Sequence, residues 1–200
     1  MPSVPGAMDA LDLERPLAQT FQQVSCPHMA IVLEDAADLP RALASFYALG
    51  LRRNGWRYHR ALPGQGEADR EALERCGLDV GSLERDGRFE LSELPVTEPP
   101  ETWAQPFVPV VDRALERGFD AVWWSRFPVG ADEGRYQVAY EYDRHFEACF
   151  HGRRAVSMCV YIVGEVGPET RVQRAQDLRQ IHDATIVVDG DERVDVLPRV

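Results

Sequence analysis

AVSMCVYIV, residues 155–163, is the stretch on which the fold turns. Its near-continuous apolar character over strand length, rich in β-branched valine, reads as a strand buried on both faces. Helical patterns flank it, DEGRYQVAYEYDRHFEACFHG before and TRVQRAQDLRQIHD after. A doubly buried strand between crossover-length helices belongs to a parallel sheet.

Working outward, the same alternation extends in both directions. MAIVLED, residues 29–35, is a second apolar strand closed by acids, and DLPRALASFYALGLRRNG after it is a helix with Asp38 as N-cap, Pro40 in its first turn and Gly55 at its end. WRYHRALP, GRFELSELP, FDAVWWSRFP and ATIVVDGD supply further strands. EADREALERCG, ended by Gly77, and residues 103–117, ended by Gly118, supply further helices. The fold class is therefore α/β, a mostly parallel sheet with helices on both faces. Residues 1–24 read as an N-terminal extension, 25–190 as one domain, and 191–200 as an acidic tail or edge hairpin.

Composition narrows the function. The formal net charge of -11 argues against direct nucleic-acid binding, which needs a concentrated basic face. All 22 basic residues are arginine, so a Schiff-base lysine, a Ser-Lys dyad and the phosphate-gripping lysine of a P-loop are excluded. No apolar run has membrane-spanning length, and MPSVPGAMDALDLERP lacks the basic start and apolar stretch of an export signal, so the expected location is cytoplasmic. Cys26, Cys76, Cys149 and Cys159 are expected to stay reduced.

HFEACFH, residues 145–151, concentrates two histidines and a cysteine. On the helix, Ala139, Tyr142, Phe146, Cys149 and Phe150 form one apolar stripe, so Cys149 faces the core and the segment reads as packing. No CxxC or HxxxH pair supports a metal there. The expectation is no metal and no cofactor.

Parallel sheets bind ligands beyond the carboxyl ends of their strands. Those ends carry Glu34 after the first strand, Arg126 after AVWWS and Tyr161 late in AVSMCVYIV, with Cys159 in the same strand and Glu141 on the preceding helix. Arg126 among tryptophans needs an acceptor, either an internal acid such as Glu141 or an anionic ligand group. Cys159 reads as pocket-lining, or as a nucleophile if its thiol is activated. His28 and His182 begin strands, at the opposite end of the sheet, with surface or capping roles expected.

These residues carry a resemblance. His28 with MAIVLED, CGLDVGSLERDGRFEL across residues 76–91, ALERGFDAVWWSRF with Arg126, Tyr140-Glu141, Cys159-Val-Tyr161 and His182 before the last strand together resemble the MEDS domain, the DcmR-type sensory domain of methanogens and methylotrophs. The resemblance implies a RecA/KaiC-like three-layer sandwich and a non-catalytic sensory role in transcription regulation or signal transduction, binding a small organic ligand such as a hydrocarbon derivative. Arg126, Glu141, Cys159, Tyr161 and Glu34 are then the ligand-binding candidates. The loop EDAADLPRA after the first strand has no GK[ST], so the P-loop is lacking and NTPase activity is expected to be absent. A separate kinase or transcription regulator is the implied partner, with a homo-oligomer as a further partner class and no membrane. Two other readings stand beside this one: a small enzyme using Cys159 or a strand-end acid, and a degenerate ATPase-like scaffold acting by assembly.

Overall fold

The computed structural model describes residues 13–93, 107–126, 128–130, 132–189 and 194–200. Strands β1 (His28–Leu33), β2 (Gly55–Ala61), β3 (Phe89–Glu93), β4 (Ala121–Ser125), β5 (Ala155–Ile162), β6 (Ala184–Val188) and β7 (Val194–Pro198) form one sheet in the order β3-β2-β4-β5-β1-β6-β7. Every pairing is parallel except β6 with β7, which makes an antiparallel edge hairpin of the C-terminal segment. Helices α1 (Glu14–Gln23), α2 (Leu39–Arg52), α3 (Gly66–Arg75), α4 (Val80–Arg85), α5 (Val108–Glu116), α6 (Glu133–Phe150) and α7 (Pro168–Ile181) cover both faces. None of the described helices is long and apolar enough to cross a membrane.

The period of two along each strand sorts the core. Met29, Ile31 and Leu33 of β1, Val156, Met158 and Val160 of β5, and Trp123 of β4 pack on one face with Phe46 and Leu49 of α2 and Leu73 of α3. Ala30, Val32, Cys159 and Tyr161 point the other way, toward Tyr136 and Ala139 of α6 and Leu178 of α7. Trp123 and Trp124 thus enter opposite cores, Trp124 meeting Phe107 and Phe146. The N-terminal helix α1 is part of the body, because Leu13 and Leu17 are fully buried in the first core.

Chain punctuation departs from expectation at one helix end. Asn54, with φ of 50°, takes the left-handed position after α2, and Gly55 is instead the first residue of β2. Asparagine tolerates that conformation through its short polar side chain. Asp35 rather than Asp38 supplies the side-chain cap, accepting from the Ala37 amide ahead of a short 3₁₀ turn.

Where crossovers leave in opposite directions, a crevice opens. The connection after β2 runs through α3, on the first face, while that after β4 runs through α6, on the second. Since β2 and β4 are neighbours, their carboxyl ends form a topological switch point.

Glycine at position 55 is dictated by Trp123. A Cβ added there would stand 2.0 Å from Trp123 Cδ1, inside a ring already stacked on Phe21 and packed by Phe46. Gly55→Ala should therefore lower stability by about 1–3 kcal/mol through overpacking. Gly130→Ala, with nothing within 4 Å of the added carbon, should stay within about 0.5 kcal/mol of the parent. Urea denaturation of both variants measures the contrast, and equal midpoints would refute the packing argument.

Candidate functional site

Asp143 stands on the buried stripe of α6, between Ala139 and Phe146, and is completely shielded from solvent. An uncompensated carboxylate there would cost several kcal/mol. Arg126, the residue after β4, donates from Nη2 to Asp143 Oδ2 at 2.9 Å. Tyr161 of β5 donates its hydroxyl to the same oxygen, and accepts from Arg126 Nη2 at 2.9 Å. His182, after α7, brings Nε2 to 3.3 Å. Burial alone would raise the Asp143 pKa, but the Arg126 guanidinium outweighs it and holds the carboxyl well below its usual range.

The cluster continues toward the start of β1. His28 Nε2 lies 3.4 Å from Cys159 Sγ, and His28 Nδ1 lies 3.3 Å from Glu147 Oε2, one turn beyond Asp143 on α6. The His28 and His182 rings are 4.2 Å apart. Strand register explains the meeting: His28 pairs with Ser157 and Ala30 with Cys159, so His28 and Cys159 share the face that α6 covers. Burial, then the Asp143 charge, pushes the Cys159 thiol well above its ordinary pKa, the opposite of what an activated nucleophile requires.

On the outer side of Arg126 a cleft of about 470 Å³ opens at the β2/β4 switch point. Leu62, Val129, Val138 and Tyr142 give it an apolar wall, with Asp132 and Arg135 also lining it. Arg126 reaches the cleft while only 5% exposed, and its Nε has no hydrogen-bond partner among the described residues.

Of the residues expected from the sequence, Arg126, Cys159 and Tyr161 come together here. Glu141 does not: it is half-buried on α6 and pairs with Arg144 at 3.4 Å, so the acid facing Arg126 is Asp143. Glu34 pairs with Arg171 and is not among these groups. His28 and His182 are buried members of the cluster and not surface residues, because β1 and β6 flank each other and start beneath α6 and α7, while His182 does cap α7 through the Leu178 carbonyl. Asp143 and Glu147 were missed as well. The available signal was an acid at an inward stripe position, with Ala139, Asp143, Phe146 and Phe150 at alternating spacings of four and three. In HFEACFH, Phe146 and Phe150 are buried, Cys149 is half-buried, His151 is exposed, and the segment's polar contribution to the cluster is Glu147.

A second polar network lies on the other sheet face. His59 Nδ1 is 3.0 Å from Ser125 Oγ, and its Nε2 is 3.0 Å from Asp69 Oδ2. This has the order of a nucleophile, base and acid. Ser125, however, is 1% exposed and also bonded to the buried Tyr47 hydroxyl, so the line ties α2 and α3 to β2 and β4.

With this geometry in hand, comparison with known proteins places the fold. No family model matches the chain, and no curated protein matches it. Among solved structures it is similar to a KaiC-like protein of Pyrococcus horikoshii, at 11% identity and TM-score 0.53, over 86% of this chain and 78% of that one. It is also similar to an uncharacterised protein of the same organism, crystallised with an unknown peptide, at 12% identity and TM-score 0.52, over 90% of this chain and 88% of that one. The protein has a RecA/KaiC-like α/β fold.

Two measurements check the electrostatics. Arg126→Ala strands the Asp143 carboxylate and should cost about 3–5 kcal/mol, with strong non-additivity in the Arg126/Asp143 double variant. Glu141→Gln should cost under about 0.5 kcal/mol and add simply to Arg126→Ala. Coupling of Arg126 to Glu141 instead would contradict the geometry. Separately, burial would raise Glu147, but His28 and Arg199 draw it from 4.5 down to about 2. A carboxylate so depressed contributes stability that is present above its unfolded pKa and lost as pH falls through the folded one. Stability should therefore decline between about pH 4.5 and 2, and Glu147→Gln should flatten that slope; an unchanged slope would count against it.

Proposed function

We propose that this protein is a non-catalytic sensory domain that binds a small, partly apolar organic molecule in the cleft at the β2/β4 switch point and signals to a partner protein. The observation that carries the reading is that Arg126, whose buried Nε has no hydrogen-bond partner among the described residues, lines a mostly apolar cleft of about 470 Å³. Arg126 already has its charge balanced by Asp143, so the matching ligand group is a neutral acceptor oxygen in preference to a second anion. An alcohol, ketone or ester on a short hydrocarbon body has that chemistry. Ligand contact would bear on the Arg126–Asp143–Tyr161 bonds joining β4, β5 and α6, which gives occupancy a route to the helix surface.

Two observations favour binding over catalysis. The Cys159 thiol is buried and pushed toward its protonated form, and the loop after β1 offers Glu34 and Asp35 engaged with Arg171 and the Ala37 amide where a phosphate-binding loop would need glycines and a lysine. Magnesium-dependent release of phosphate from ATP or GTP should accordingly remain at background. Turnover abolished by changing Glu34 would overturn that.

Binding is tested with short alcohols, ketones and their alkane counterparts as probes in protein-observed NMR. Resonances of Val129, Gly130, Gly134 and Ala139 should shift with the oxygenated probes and much less with the alkanes. Val138→Trp, at an exposed position on the cleft wall, should leave the fold intact and abolish the shifts. Shifts that persist in Val138→Trp, or map elsewhere, would remove the cleft from consideration.

A further inference from the structure

Beneath the cleft, four buried side chains from four separate elements converge. His28 from β1, Asp143 from α6, Cys159 from β5 and His182 after α7 each offer one donor atom, and these atoms all lie within 4.8 Å of one another. None of the four residues is more than 5% exposed. Two of the separations, 3.4 Å from His28 Nε2 to Cys159 Sγ and 3.3 Å from His182 Nε2 to Asp143 Oδ2, match the roughly 3.3–3.8 Å between ligands in a tetrahedron with zinc–ligand bonds of about 2.0–2.3 Å.

The outer contacts orient both rings inward. His182 Nδ1 is 2.9 Å from the Leu178 carbonyl oxygen, which can only accept, so Nδ1 carries the proton that donates to it. The His28 ring likewise turns Nδ1 to the Glu147 carboxylate and Nε2 to Cys159. In the neutral rings both Nε2 lone pairs then face the cluster. A carbonyl or carboxylate behind each ligating histidine is the usual outer support of a metal site. Three buried atoms of the cluster are left without hydrogen-bond partners among the described residues: His182 Nε2, Asp143 Oδ1 and His28 Nδ1, the last with the Glu147 carboxylate 3.3 Å away. A lone pair held 3.3 Å from a carboxylate oxygen is repulsive unless a cation stands between them. Arg126 and Tyr161 bond to that same Asp143 Oδ2, and Oδ1 has no hydrogen-bond partner among the described residues.

We propose that His28, Asp143, Cys159 and His182 form a closed, four-coordinate site for a divalent transition metal, zinc in the first instance. Two nitrogens, one sulfur and one carboxylate oxygen suit zinc or cobalt(II) over magnesium or calcium, which take all-oxygen sets. On binding, the thiol proton leaves to solvent and the metal–sulfur bond forms. The thiolate and the carboxylate then stand against the dication, the carboxylate being shared with Arg126. With four protein ligands and no solvent face, the site is structural, pinning α6 and the end of α7 to β1 and β5. The inference does not depend on the cleft having a ligand.

The test uses the full chain, purified without a histidine tag. Elemental analysis after dialysis should give about one zinc per chain, and cobalt(II) added to chelator-stripped protein should give intense tetrahedral visible bands with a thiolate charge-transfer band. Stripped protein should melt at lower temperature and recover on zinc addition. Cys159→Ser should lose the charge-transfer band, and Glu147→Gln, which keeps all four ligands, should weaken zinc binding about 10–100-fold. The cobalt spectrum of the wild type keeps the proposal falsifiable even if a ligand variant fails to fold. Folded wild-type protein that takes up neither zinc nor cobalt would overturn it, leaving a proton on His182 as the cluster's cation. Metal retained unchanged in both Cys159→Ser and Glu147→Gln would overturn it equally, as adventitious surface binding.

Discussion

A carboxylate with no access to water organises the middle of this protein. Asp143 lies inside the α6–sheet interface, where ionisation is tolerable only with compensation, and the compensation comes from Arg126 after β4 and Tyr161 of β5. Arg126 and Tyr161 meet at a single oxygen of that carboxylate. The position of α6 is consequently specified by directional bonds as well as by its apolar stripe, and those bonds tolerate much less sliding than hydrophobic contact would. Loss of one partner leaves a buried charge behind, so the group acts as a unit.

The fold around it is a RecA/KaiC-like sheet whose first loop has a different chemistry from a phosphate-binding loop. Glu34 and Asp35 follow β1, and their carboxylates engage Arg171 and a backbone amide. Oriented amides and a lysine are what grip phosphates; acids repel them. A crevice lies further along the sheet, at the β2/β4 switch point, where the crossover direction reverses and Arg126 reaches the cleft.

Asp143 also links the two proposed sites. Its Oδ2 takes the bonds from Arg126 and Tyr161, next to the cleft, and lies 3.3 Å from His182 Nε2 in the donor cluster. Any change in the hold of Arg126 on the carboxylate is felt at the donor cluster. The second network, Tyr47–Ser125–His59–Asp69, belongs to the opposite face and ties α2 and α3 to the sheet.

Strand and helix order was legible in the sequence because period and punctuation are local: AVSMCVYIV and MAIVLED could only be doubly buried strands, and Gly77 and Gly118 do end their helices with positive φ. Arg126, Cys159 and Tyr161 were legible as strand-end or strand-face residues by the same rule of alternation. Which acid meets Arg126 was not, since Glu141 and Asp143 are two residues apart on one helix and only the packed rotation of α6 turns one inward and the other toward Arg144. Nor could the chain order bring His28 to Cys159 and His182, which are separated by most of its length. The layers and the face each strand residue takes can be read along the chain, because they follow from nearest neighbours. The partners of the buried groups emerge only on packing, because buried charge is neutralised by whatever the sheet order and helix rotation set beside it, and neither is encoded locally.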